Sequence, residues 1–314
     1  AIVGEPLARD EQRAILVERL RGPADSEVRL TVGRGERQVE LLVRRGDVQQ
    51  PCVKWAHWLD AELGLAYVHL SDFHPDADVQ LRTALDRLAA ERPLAGLVLD
   101  LRFDGGGSLD ACLAIARMFI PSGVIATQRR RQDEIIATHE ARPDLCTHPN
   151  LPLVLLVNAH SASASEVLAG ALQDHTRALV VGERTHGKAY VNTLYTWEGH
   201  DFRLKLTTST YRTPNGRNIE RNHRVSGTAA NRQDGGIPPD VVVELAPEAQ
   251  HAVHASLERL EPPPAHREAF AAVAKQYAIQ VPTPPSPSDD PQLAAALSAL
   301  RERAAVPAGA GSPR

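Results

Sequence analysis

Two near-continuous apolar runs, 94–101 and 151–157, each give way to a loop of small residues and then to a helical pattern. A strand that is apolar on both faces must be covered on both sides, so this order calls for helices above and below a largely parallel sheet. The same order begins at Leu65–Leu70, which precedes an amphipathic helix over 78–90, and it returns to the sheet at a third buried strand, 178–182. The chain from Gly64 to Gly182 therefore reads as an α/β domain.

The flanks read differently. Asp10 can cap a helix carrying Ile15, Leu16, Val17 and Leu20, which Gly22-Pro23 ends. Alternating strands follow at 28–32 and 39–43, joined by a turn with Gly33 and Gly35. About 45 residues rarely make a core alone, so a preceding piece is expected. After Lys188 two alternating strands, 191–197 and 202–211, turn at Gly199, and a further strand spans 241–245. Helices are expected over 250–260 and 265–278, then a proline-rich linker over 282–291 and a short helix with Leu293, Leu297 and Leu300 on one side. These shifts divide the chain into an N-terminal element (1–46), a central domain (47–248) and a helical, proline-rich tail (249–314).

Hydrophobic residues make up 43% and charged residues 24%, as in an ordinary folded domain, and aromatics at 4% leave the core to Leu, Val, Ile and Ala. A net charge of −4 argues against a nucleic-acid surface, and the cluster Arg129-Arg130-Arg131 reads as a solvated loop. Three scattered cysteines, with no CxxC pair and no H-E-x-x-H, suggest neither a disulfide framework nor a metal site. No apolar stretch approaches the ~18–20 residues that span a bilayer.

Chemistry is expected where a buried strand meets a helix through small residues, because helix N-termini offer unpaired N–H groups and partial positive charge. Asp104-Gly-Gly-Gly-Ser108 and Ser161-Ala-Ser-Ala-Ser-Glu166 are two such places. Taken singly, the first could be a tight turn and the second a cap. A third stretch, Thr185-His186-Gly187-Lys188, joins them, and together they resemble the signatures of the S41 carboxyl-terminal processing (tail-specific) serine proteases. The matching segments are Leu97-Val-Leu-Asp-Leu-Arg102 running into the glycines, Pro152 through Ser161–Glu166 to Asp174, and Val181-Gly182 through Gly187-Lys188. Weaker agreement continues at Tyr211-x-Thr213-Pro214-x-Gly216 and at Gly236 to Val241.

The resemblance implies a Clp protease/crotonase-like domain, with 1–46 as the C-terminal part of a PDZ-like domain. It implies Ser163 as nucleophile and Lys188 as general base. Ala164 and Gly106 would form the oxyanion hole through their amides, and Asn192 stands where the family has a lysine-orienting Gln. It also implies no cofactor, no metal, protein or peptide substrates with free or unstructured C-termini, and an exported location such as periplasm or cell envelope. Departures are Gly187-Lys188-Ala189-Tyr190-Val191-Asn192 for the usual Gly-Lys-Gly-x-Val-Gln, His186 for an aromatic, and Asp104-Gly105 for Asn-Pro or Asn-Gly. The chemistry fits: a lysine takes a proton from serine only when neutral, and lowering it from ~10.4 to ~7–8 costs about 4 kcal/mol, which burial can supply. Two other readings are a Ser-His-Asp hydrolase using His160, His175 or His186, and an impaired peptide-binding scaffold of the same fold, which Ala189 and Asn192 motivate.

Overall fold

The computed structural model describes residues 13–34, 37–46, 51–197, 199, 202–221, 235–262, 267–276 and 280–305; Asp10 and Gly35 lie outside them. Contacts divide the chain into two units, Ala1–Pro51 and Cys52–Arg314. In the first, helix α1 (Arg13–Leu20) precedes β1 (Glu27–Arg34) and β2 (Arg37–Arg44), an antiparallel pair registered from Glu27 opposite Arg44 to Arg34 opposite Arg37. The Arg45 guanidinium ties helix to hairpin by donating to the Leu20 and Glu27 carbonyls.

The second unit is built on a six-stranded sheet. Its elements are β3 (Val53–Asp60), β4 (Leu65–Leu70), α2 (Ala77–Glu91), β5 (Gly96–Asp100) and α3 (Leu109–Phe119). An antiparallel pair, β6 (Val124–Arg129) and β7 (Ile135–Glu140), leads to β8 (Leu153–Val157), α4 (Ala164–Asp174) and β9 (Leu179–Gly182). The chain continues through β10 (Tyr190–Thr196), β11 (Arg203–Arg212), β12 (Val241–Val242), α5 (Pro247–Leu257), α6 (Arg267–Gln276) and α7 (Pro291–Ala305). The main sheet has the order β12-β9-β8-β5-β4-β3, parallel except for β3 at one edge.

Alternate residues of the central strands serve opposite faces, as strand geometry requires. Ala66, Val68, Leu97, Leu99, Leu153, Leu155 and Val180 join one core with α2, α3 and α4. Leu65, Tyr67, Val98, Val154, Leu156 and Val181 join another with α5 and α7. The last helix thus covers one face of the sheet. The proline-rich stretch before it, expected as a linker, is instead packed down: Pro285 is buried and its carbonyl meets His57 Nε2 at 3.2 Å. A backbone carbonyl and a buried acid, Asp290, give that stretch its anchors, which composition alone does not reveal.

A second, antiparallel sheet has the order β10-β11-β6-β7. The arginine cluster lies on it: Arg129 closes β6, and Arg129 and Arg130 pair with Asp133 and Glu134 across the turn into β7.

Candidate active site

The three sequence stretches converge at the carboxyl ends of β5, β8 and β9, three adjacent parallel strands, which is where open α/β sheets place their ligands. β5 runs into the glycine loop, β8 into the N-terminus of α4, and β9 into the segment bearing Lys188. Main-chain bonds join them: Ala162 N donates to Asp104 O at 2.9 Å and His186 N to Ser161 O at 3.0 Å.

Of the three serines, two are fully buried and committed to holding loops. Ser161 Oγ donates to Leu101 O at 2.8 Å, and Ser165 Oγ to Asp104 O at 2.9 Å. Ser163 is half-buried and caps α4 with φ 57° and ψ −113°. Few non-glycine residues adopt such a backbone, and it costs about 1–3 kcal/mol unless its surroundings impose it. Here they do. Ser163 N donates to Glu166 Oε2 at 2.9 Å, and the carbonyl of Ser163 takes the first helical bonds.

Glu166 is the residue that sequence reasoning read only as the end of a motif. Fully buried, it also accepts from Thr185 Oγ1 (2.6 Å), Gly187 N (2.6 Å) and Lys188 N (2.8 Å). One carboxylate in the first turn of α4, where the helix dipole favours it, thereby fixes the main chain of both Ser163 and Lys188. The signal was present: an acid three residues after the cap of a helix that follows a buried strand. Lys188 itself is half-buried, between the buried Gly187 and Ala189.

Gly106 has φ +92°, and a Cβ there would lie 2.6 Å from Ala162 O, 2.8 Å from Ala164 N and 2.8 Å from Ser163 Cβ. The absent side chain leaves open the space beside the Ala164 amide, the amide that follows Ser163. The amide of Gly106 itself donates to Asp104 Oδ1 at 2.8 Å. Asp104 is fully buried, and burial pushes its carboxyl well above the usual range.

Asn192 lies on β10, which begins two residues after the lysine. It is exposed on β10, and its Oδ1 accepts from Thr207 Oγ1 at 3.0 Å. Among the described residues no hydrogen bond joins it to Lys188. Of the histidines, His160 is exposed and stacks on Phe103 at 5.4 Å, and His175 closes the far end of α4, bonded to Val124 O. His186 is exposed.

One group of described residues could hold a metal ion: ligand atoms of Cys52, His74 and Asp76 lie within 4.8 Å of one another. Burial and nearby carboxylates push the Cys52 thiol up to about 11, so a metal there would first have to displace a proton. No helix among the described residues is long and apolar enough to cross a membrane.

Known proteins resemble this chain. The family model for peptidase family S41 matches residues 64–243. The carboxy-terminal-processing protease of Bartonella bacilliformis is 33% identical over 234 residues, 73% of this chain and 49% of that protein. The carboxyl-terminal-processing protease of Synechocystis is 35% identical over 247 residues, 76% of this chain and 52% of that protein. The chain thus spans about half the length of the curated relatives it matches. The solved photosystem II D1 C-terminal processing protease is 30% identical, with a TM-score of 0.50 over 82% of this chain and 66% of that one. An S41 protease from Bacteroides fragilis, 16% identical with a TM-score of 0.51 over 81% of this chain and 67% of that one, shares the fold. With its three signature stretches gathered at the carboxyl ends of three adjacent strands and more than half its length matched by the family model, the chain belongs to peptidase family S41.

Proposed function

We propose that the protein is a serine endopeptidase that cuts near protein C-termini or in unfolded tails through a Ser163/Lys188 dyad. The observation that carries this is the single buried carboxylate of Glu166, which holds the backbones of Ser163 and Lys188 at 2.9 and 2.8 Å. A structural helix cap has no need to grip a second loop 22 positions away (188 − 166).

In the reaction the Lys188 amine takes the Ser163 hydroxyl proton as Oγ attacks the scissile carbonyl carbon. The carbonyl oxygen becomes an oxyanion facing the Ala164 amide and the glycine loop, where preorganised donors stabilise the developing charge. Collapse breaks the C–N bond, the leaving amine takes the proton, and water then hydrolyses the acyl-serine ester to a new C-terminal carboxylate. Residues 1–46 are read as the second half of a PDZ-like module that presents the substrate's C-terminus, and the protein as one that works outside the cytoplasm. Both readings rest on the likeness to relatives, as does a part for Asn192 in orienting the lysine.

Cleavage of an unfolded protein by wild type, Ser163→Ala and Lys188→Arg tests the dyad. Both variants are expected to lose at least about 10³-fold in turnover while folding normally, since the covalent route needs the hydroxyl and a guanidinium stays protonated. Full activity in Lys188→Arg would remove lysine from the mechanism.

A further inference from the structure

Asp104 stands in the glycine loop where relatives are expected to carry Asn. Its side chain is fully buried, Oδ1 accepts from the Gly106 amide at 2.8 Å, and Oδ2 has no hydrogen-bond partner. Its position is fixed from the other side, because its own carbonyl receives both Ala162 N and Ser165 Oγ. The groups acting on the carboxyl come from every element around it. Asp72, in the loop after β4, opposes its ionisation, whereas the Gly106 amide and the Ser165 hydroxyl of α4 favour it less strongly than burial opposes it. Cys112 of α3 and Cys52 before β3 are buried thiols that feel its charge and are themselves pushed up. No cation is among these neighbours, and an unpaired buried carboxylate is among the costliest groups a fold can hold.

We propose that Asp104 is a positioning residue that works as a neutral carboxylic acid, and that its ionisation withdraws the Gly106 amide from the oxyanion and switches the protease off on the alkaline side. This rests on the Ser163/Lys188 reading. With the proton on Oδ2, Oδ1 is an ordinary carbonyl acceptor holding the glycine loop in place. When the tetrahedral oxyanion forms beside Ala164, it is the stronger, charged acceptor and takes the Gly106 N–H, since charge-assisted bonds are roughly twice as strong as neutral ones. Once Asp104 is ionised, the competing acceptor carries the same charge as the oxyanion. The amide stays with the carboxylate, and the fixed negative charge opposes the one that must develop. An Asn at this position is neutral at every pH and leaves the amide available. An Asp at this position thus adds a proton-controlled brake to a reaction whose base, Lys188, works only as the free amine. The two requirements oppose each other in pH and confine activity to a window.

The test compares the full chain with Asp104→Asn and Asp104→Ala by following kcat/KM for an unfolded protein substrate from pH 6 to 10, with Ser163→Ala as the blank. Wild type is expected to lose rate on the alkaline side. Both variants lack that alkaline loss, Asp104→Ala at a lower rate throughout because the loop has lost its acceptor, and the ratio of Asp104→Asn to wild type rises by about tenfold or more from the acid to the alkaline end. Parallel profiles for wild type and Asp104→Asn would overturn the proposal. Thermal unfolding on the same samples reads the charge state without activity. An acid whose folded pKa is raised stabilises the fold fully below its ordinary value and loses that contribution as pH rises through the folded value. The melting temperature of wild type should therefore fall relative to Asp104→Asn as pH rises above about 4. A constant difference would show that Asp104 is ionised throughout and would also overturn the proposal. Absence of cleavage by all variants at every pH, with the melting signature intact, would overturn the Ser163/Lys188 reading and the brake with it, leaving the neutral acid standing.

Discussion

Glu166 shows how much of this site depends on one fully buried side chain. Its two oxygens receive four donors, three of them backbone amides, from the segments that carry Ser163 and Lys188. Hydrogen bonds to a charged acceptor contribute about 1.5–3 kcal/mol, and a buried donor left unmatched costs a similar amount. Glu166→Gln keeps the shape but turns one oxygen into an NH2 group that faces donors. It is expected to lower stability by about 2–4 kcal/mol, and to slow cleavage per folded molecule by about tenfold or more, because a misplaced base loses alignment with its nucleophile. Urea unfolding and active-site-normalised turnover on the same preparation separate the two effects. Unchanged turnover with reduced stability would make Glu166 a cap only.

At the level of elements, the order of strand, small-residue loop and helix was legible because buried parallel strands leave a continuous apolar imprint. β4, β5, β8, β9 and the helices between them follow it closely. β6 and β7 left no such imprint: β7 is largely exposed, and the arginines at the turn between them read as solvated loop. The placement of Asn192 met the same limit. β10 begins only at Tyr190, and a register shift between Val191 and Asn192 breaks the alternation on which period-2 reasoning depends. The glycine loop is where local conformation and chemistry coincide. Gly106→Ala would put a methyl within 2.8 Å of both Ala164 N and Ser163 Cβ at φ +92°. Such a change should cost about 1–2 kcal/mol of backbone strain and about 10²–10³-fold in rate by shifting the oxyanion donors. If melting temperature falls while turnover per folded molecule is kept, the glycine serves the turn alone.

Across the whole second unit, the site is fastened to the far face of the sheet by one buried cation. Arg102 lies two residues past the end of β5 and two before Asp104, and its guanidinium bonds Asp100 Oδ2 at 2.7 Å and Asp290 Oδ2 at 2.7 Å, with Gln292 Oε1 at 3.0 Å. Tyr67 donates to the same Asp100 oxygen, and Asp290 and Gln292 lead into α7. The Leu293, Leu297 and Leu300 stripe of α7 was readable in the sequence. Its destination was not, because a buried ion pair across 188 positions has no local signature. Burial alone would push Asp100 up, but Arg102 overrides it and holds the carboxyl below its usual range. A depressed carboxyl stabilises the fold above its unfolded value of ~3.9 and loses that contribution as pH falls below it, so stability should decline on acidification toward pH 3. Removing one partner leaves a fully buried guanidinium with half its counter-charge, which is costly at neutral pH. Asp290→Ala is expected to lower stability by about 3–5 kcal/mol. Raising NaCl from 0.1 to 1 M should change that loss little, because the pair is shielded from solvent ions. Undocking of α7 should also expose the sheet face it covers, so limited proteolysis of Asp290→Ala should release a C-terminal fragment faster than in wild type. A loss below about 1 kcal/mol, the range of surface pairs, with unchanged proteolysis would mean that the apolar stripe of α7 holds the helix without the ion pair.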